Sequence, residues 1–188
     1  MICRPLLKRT LLLLPMCLSV AAQAETEEAL DDRTGLPRWD VQAGDVRLRL
    51  VQRLPDQTRA FFLGRGFDAE QVDRIAGHCV LQTILYNDGH APIELDMAEW
   101  SALVGDREIQ PRLMSDWQQE WQDLGVADGP RIAFRWALFP NHQRFSPGDW
   151  NMGMTTWPAT RGASLDVRIR WHAEGVSHEL TVEGVRCP

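Results

Sequence analysis

Beyond Lys8 the chain contains no lysine, so its positive charge rests on arginine alone. Acidic residues outnumber basic ones by 26 to 20, and no basic cluster follows residue 9. Nucleic acid and anionic lipid are therefore excluded as partners, since both are bound largely by neutralising phosphate. The longest apolar stretch, Leu11 to Val20, is broken by Pro15. It falls well short of the ~20 residues that span a bilayer as a helix. No H-E-x-x-H, G-x-S-x-G or phosphate loop is present; Gly64-Arg65-Gly66 lacks the helix start such a loop needs. There is no Asn-x-Ser/Thr acceptor, no internal repeat and no low-complexity tract.

What is present begins at the amino terminus. Arg4, Lys8 and Arg9 precede the apolar run, and Ala22-Gln23-Ala24 follows it, with no acidic residue before Glu25. A charged start, a short apolar middle and small residues at −3 and −1 predict a cleaved signal peptide over residues 1–24. Pro15 and Met16 stand before Cys17 where a lipid-attachment site wants small residues, so lipidation is not expected. Removing 24 of the 188 residues leaves 164, a single-domain length. The 17 remaining arginines then face 26 Asp and Glu, a net charge of −9. An all-arginine basic set fits a GC-rich genome, and a bacterial periplasm is the expected compartment, with secretion the alternative. No membrane anchor would remain.

Cys3 and Cys17 leave with the signal, and Cys79 and Cys187 stay as an even pair in an oxidising compartment. Neither lies in a C-x-x-C, which argues against a redox pair or a metal site. A structural bridge between them is expected, closing a loop of about a hundred residues and contributing ~4–5 kcal/mol in the chain-entropy model.

Residues 25–43 read as a loose lead-in, being acidic and then punctuated by Gly35 and Pro37. From 44 to 188 apolar residues recur at every second position, the period of a half-buried strand. Val46-Leu48-Leu50 opens the series, which returns in 79–87, 93–97, 131–139, 150–154, 165–171 and at Leu180 and Val182. Pairing Leu180 with Ile169 and Val182 with Val167 buries all four, and sets His172 against Ser177 and His178 against Trp171. Two short helices interrupt the strands. Asp68 and Gln71 form a capping box before Val72, Ile75 and Ala76, with Gly77 as a left-handed stop. Ser115 and Gln118 repeat the box before Trp117, Trp121 and Leu124, and Gly125 closes the helix. The pattern predicts a mainly β domain, an immunoglobulin-like β-sandwich with two helical insertions; a small closed β-barrel is the alternative. Phe145-Ser146-Pro147-Gly148-Asp149 ahead of a strand looks like the entry of many small extracellular immunoglobulin-like modules, a likeness of architecture without activity.

Candidate chemistry concentrates between 139 and 154. On a strand Trp150, Met152 and Met154 share one face, thioether sulfur suits Cu(I), and His142 could complete a site. The composition resembles that of small periplasmic β-barrel copper chaperones, in which Met, Met and His hold Cu(I) beneath a Trp, although order and spacing here differ. Met and Trp at alternate positions are equally a strand's buried face. His78 and His90 stand alone, and His172 and His178 fall on opposite faces of their hairpin. Ser177 and His178 point apart on a strand and so cannot make an activated nucleophile. Asp149 and Glu99 are only one pairing among many in an acidic chain. A non-enzyme is expected. Eight tryptophans against one tyrosine exceed what one core of this size holds comfortably, so some should mark a partner surface. Trp157, Trp117 and Trp121 are the candidates. The expected role is an exported, non-catalytic binding or accessory module contacting a protein; a copper-handling protein and a carbohydrate-binding module are the alternatives.

Overall fold

The computed structural model describes residues 26–188, so the signal peptide expected over residues 1–24 lies outside the described residues. Chain order is β1 (Thr26–Leu30), β2 (Pro37–Ala43), β3 (Val46–Gln52), α1 (Pro55–Leu63), α2 (Ala69–Ala76), β4 (Cys79–Asn87) and β5 (Ile93–Asp96). A 3-10 turn, Met97–Glu99, leads to β6 (Ser101–Val104), β7 (Arg107–Ile109), α3 (Met114–Asp123) and α4 (Asp128–Ala137). β8 (His142–Phe145), β9 (Trp150–Trp157), β10 (Ser164–Ala173) and β11 (Val176–Arg186) complete the chain.

The strands form two antiparallel sheets that do not close into a barrel, which sets that alternative aside. The first sheet runs β1-β2-β3-β4-β9. In the second, β10 pairs with β11 along one edge and with β5 and then β6 along the other. β8 and β7 extend it from β5 and β6. The inner faces share one core: Leu48, Leu50, Leu81 and Leu85 from the first sheet meet Leu95, Leu165, Val167 and Ile169 from the second. Period-two sequence sends alternate side chains to opposite faces, so the other face of the first sheet is left to be covered. A second core does this at one end. Phe62, Val72, Ile75, Trp117, Trp121 and Phe134 from the four helices pack there against Val80 and Met154. The domain thus has three layers, helices on sheet on sheet.

The β10–β11 register is the one burial requires, with Val167 opposite Val182, Ile169 opposite Leu180 and Trp171 opposite His178. A bulge beyond Val167 shifts the pairing by one, and there the Gly184 N–H donates to Asp166 Oδ1 at 2.9 Å. Cys79 and Cys187 are bridged, with Cα atoms 5.2 Å apart. Cys79 opens β4 in the first sheet and Cys187 follows β11 in the second, so the bridge fastens one sheet to the other.

Five expectations are corrected. The lead-in over residues 25–43 is not loose, because 26–30 and 37–43 are strands. Trp39 and Val41 are buried between Arg38, Asp40 and Gln42, and Asp40 is neutralised by Arg38 at 2.9 Å and Arg49 at 2.5 Å. The helical insertions number four among the described residues, not two. Residues 131–137 are helical, not extended: Phe134 and Leu138, four apart, face the helix core while Ile132 and Trp136, also four apart, face solvent. Every second residue apolar satisfies a strand, yet it equally puts an apolar pair on each of two helix faces. Lastly, the Asp68–Gln71 box forms as expected, but Gly77 stays right-handed at φ −72°, and α3 starts one residue earlier than its expected cap. There the Leu113 N–H donates to Asp116 Oδ2 at 2.8 Å, and Ser115 lies inside the helix.

Candidate interaction surface

On β9 the even positions point away from the sheet–sheet core. The helix layer covers Met154 and Thr156 but stops short of Met152 and Trp150, which are 42% and 56% exposed. Pairing across three strands aligns Arg47, Tyr86 and Trp150 in one row and Arg49, Ile84 and Met152 in the next. In the first row Arg47 lies 3.8 Å from the Tyr86 ring centre, and Tyr86 stacks on Trp150 at 6.0 Å with 23° between planes. The Asp88 carboxylate, 2.9 Å from Arg47 Nε, hydrogen-bonds that guanidinium and raises its pKa further. Tyr86 is therefore gripped between a cation from β3 and an indole from β9.

Beside Met152 a cleft of about 440 Å³ opens between β9 and the end of α4. Trp136, Leu138, Phe139, Pro140, Met114 and Met152 give it an apolar lining, completed by Arg135, Asn141 and Asn151. Trp136 is 81% exposed, the most exposed large apolar residue described. The cleft exists because the chain leaving α4 runs along the edge of β9. Leu138 bridges Met154 in parallel, and the Phe139 N–H donates to the Met154 carbonyl at 2.9 Å. Gly153 permits that approach, since a Cβ there would lie 2.3 Å from the Phe139 nitrogen.

The structure distributes the residues singled out by sequence quite differently. Trp157, Trp117 and Trp121 are all buried and supply no partner surface. Trp157 lies in the sheet–sheet core opposite Cys79 and donates to Thr155 Oγ1 at 3.2 Å. Trp117 donates to Thr156 Oγ1 at 3.0 Å, lies under Arg112 and stacks on Trp121 with ring centres 5.1 Å apart. Two cores hold what one could not: four tryptophans lie in the sheet–sheet core and two in the helix core. The copper set does not converge. Met154 is sealed under the helices, and Met152 is exposed on the outer face of the first sheet. His142 lies on β8 of the second sheet, on the opposite side of that strand from buried Phe145, with its Nδ1 3.9 Å from Asp96. Of the expected set, Trp150 and Met152 remain together. Trp136, missed by sequence, shares the cleft with Met152; its signal was Ile132 and Trp136 four apart, after Pro130 in a helix's first turn.

His78 carries the clearest perturbed titration near neutral pH. It is largely desolvated beside Trp117 at 5.0 Å, which lowers its pKa, although its Nδ1 meets the Arg74 carbonyl at 2.8 Å. Among the described residues no group of three or more His, Cys, Asp or Glu is arranged to hold a metal ion, and no helix is long and apolar enough to cross a membrane. Comparison with protein-family models, with curated proteins and with solved structures finds no match for this chain.

Proposed function

We propose that this chain is an exported, non-catalytic binding module, periplasmic or secreted, that holds a protein partner against the surface made by Trp136, Met152 and Trp150. The exposure of Trp136 beside an apolar cleft carries this reading. Apolar area left in water forgoes about 25 cal/mol per Å² on burial, and tryptophan is prominent among the anchors that dominate interfaces. Export is supported by the signal-like start and by a disulfide, which persists in oxidising compartments. A protein is favoured over a sugar because the Tyr86 ring sits between Arg47 and Trp150 rather than lying open as a stacking platform.

The scaffold fits an immunoglobulin-like sandwich. In that fold strand B pairs with E in one sheet, and F lies between C and G in the other. Here β4 pairs with β9, and β10 lies between β5–β6 and β11, with β3 beside β4 in the place of strand A. The bridge departs from the immunoglobulin pattern, since it ends after β11 rather than on β10.

The test is capture of partners from a periplasmic extract by the wild type and by Trp136→Ala and Trp150→Ala variants. Both side chains are exposed, so the variants should melt with the wild type while Trp136→Ala loses about 2 kcal/mol or more of binding. A partner retained in full by the double variant would overturn the reading.

A further inference from the structure

The cleft beside Trp136 does not end at Arg135. A second depression of about 330 Å³ lies between α3 and α4, lined by Gln118, Gln122, Trp121, Arg131 and Ile132. Met114 and Arg135 line both depressions, so these adjoin as a groove in two parts, one beside β9 and one over the helix layer. Its chemistry changes along its length, from apolar at Trp136, Pro140 and Met152 to amide and guanidinium at Gln118, Gln122 and Arg131. The single carboxylate in the lining, Asp128, is already paired with Arg131. Arg135 makes no ion pair among the described residues, at the point where the apolar half meets the polar half. In a chain with an acidic excess the groove is thus locally cationic. Helix rise places Arg131 about 6 Å from Arg135 along α4, the advance of two residues of an extended chain.

From this we propose that the groove takes an extended segment of the partner protein in which a large apolar side chain stands beside an Asp or Glu. The apolar side chain enters the cleft beside Trp136 and Met152. The carboxylate meets Arg135, whose planar fork suits it. The amides of Gln118 and Gln122 are left to bond the peptide backbone. This rests on the reading of the Trp136 surface as a protein-binding face and adds the identity of the segment.

The experiment is selection of a random peptide library displayed on phage, with each peptide's carboxyl end fused to the coat protein so that only side-chain carboxylates are offered. Mature chain purified from its export compartment is the bait, and Trp136→Ala is the counter-selection. Enrichment of Trp, Phe, Leu or Met beside Asp or Glu is expected. The best peptide, made synthetically, should bind about tenfold more weakly after its acid is changed to the amide, and equally so to Arg135→Ala, as for loss of one charge-assisted hydrogen bond. Arg135→Glu should reverse the selection toward Lys and Arg. Peptides that need Trp136 but show no acidic preference and ignore Arg135 would overturn this inference while leaving the surface reading intact. If no peptide binds the wild type above Trp136→Ala, the inference falls, and partner capture separately decides the fate of the surface.

Discussion

Gly153 shows how one residue without a side chain can shape a site. The backbone of Leu138 and Phe139 lies where its Cβ would be, at 2.5 Å from the Leu138 carbonyl carbon. Backbone cannot swing aside as a flexible side chain does, so Gly153→Ala must push the crossing segment off β9. We expect a loss of about 1–3 kcal/mol by denaturant unfolding, as for other overpacked sites, together with weaker partner binding because Leu138 and Phe139 line the cleft. An unchanged midpoint would mean the crossing segment yields freely. His78 gives a second prediction. Burial lowers its pKa below the ordinary 6.5, so on acidification the unfolded chain takes up a proton that the folded one refuses. Its contribution is complete above about pH 6.5 and is lost as pH falls toward the folded value. Comparing wild type with His78→Gln at about pH 7.5 and about pH 5.5 separates this from the titration of carboxylates. The wild type should lose more stability than the variant. Equal losses would place the acid sensitivity elsewhere.

At the scale of elements, the legible parts were those in which local period and tertiary burial agree. β3, β4 and β10 alternate cleanly, whereas on β9 the period is legible but its apolar residues Trp150 and Met152 stay exposed, and the β10–β11 register follows from burying four apolar residues at once. The Asp68–Gln71 box was legible because it is local. β2 was obscured because Arg38 and Asp40 dominate its composition, and their neutralisation by partners on β2 and β3 is a fact of the fold. α4 was obscured by a pattern shared by two periods. The disulfide needed only cysteine counting and compartment, and its removal is the prediction proper to this scale. Cys187→Ser unties the end of β11 from the start of β4 and should lower stability, with ~4–5 kcal/mol the upper bound from loop closure. Partner binding should survive wherever the fold does. Met152 lies five residues along β9 from Trp157, the neighbour of Cys79, a separation of about 17 Å. Binding lost at temperatures where the variant is still folded would show that the bridge reaches the cleft.

For the whole molecule, the helix layer is half legible in the sequence, which announces α2 and α3 but not α1 and α4, and it is also what makes the site. Count and type of tryptophan implied surplus aromatic surface; which rings are exposed depends on where four helices lie on the first sheet, and the Ile132–Trp136 spacing is the one local trace of it. The helices have 8 to 10 residues each, shorter than an isolated helix needs for stability in water, so they persist only through the core they share with the sheet. Phe134 is fully buried there, with its ring about equidistant from those of Phe62, Trp117 and Trp121 at 5.2, 5.3 and 5.4 Å. Phe134→Ala should therefore cost about 3–5 kcal/mol. The loss should fall unevenly, because the sheet–sheet core is built from other residues and is crossed by the disulfide. Native-state hydrogen exchange should show the α3 and α4 amides losing protection while those pairing β3 with β4 keep theirs. Partner binding should weaken in step with α4, since Trp136 and Arg135 ride on that helix. Should the β3–β4 amides lose protection as far as the α4 amides, the two cores would form one cooperative unit, and the binding face could not loosen without the fold.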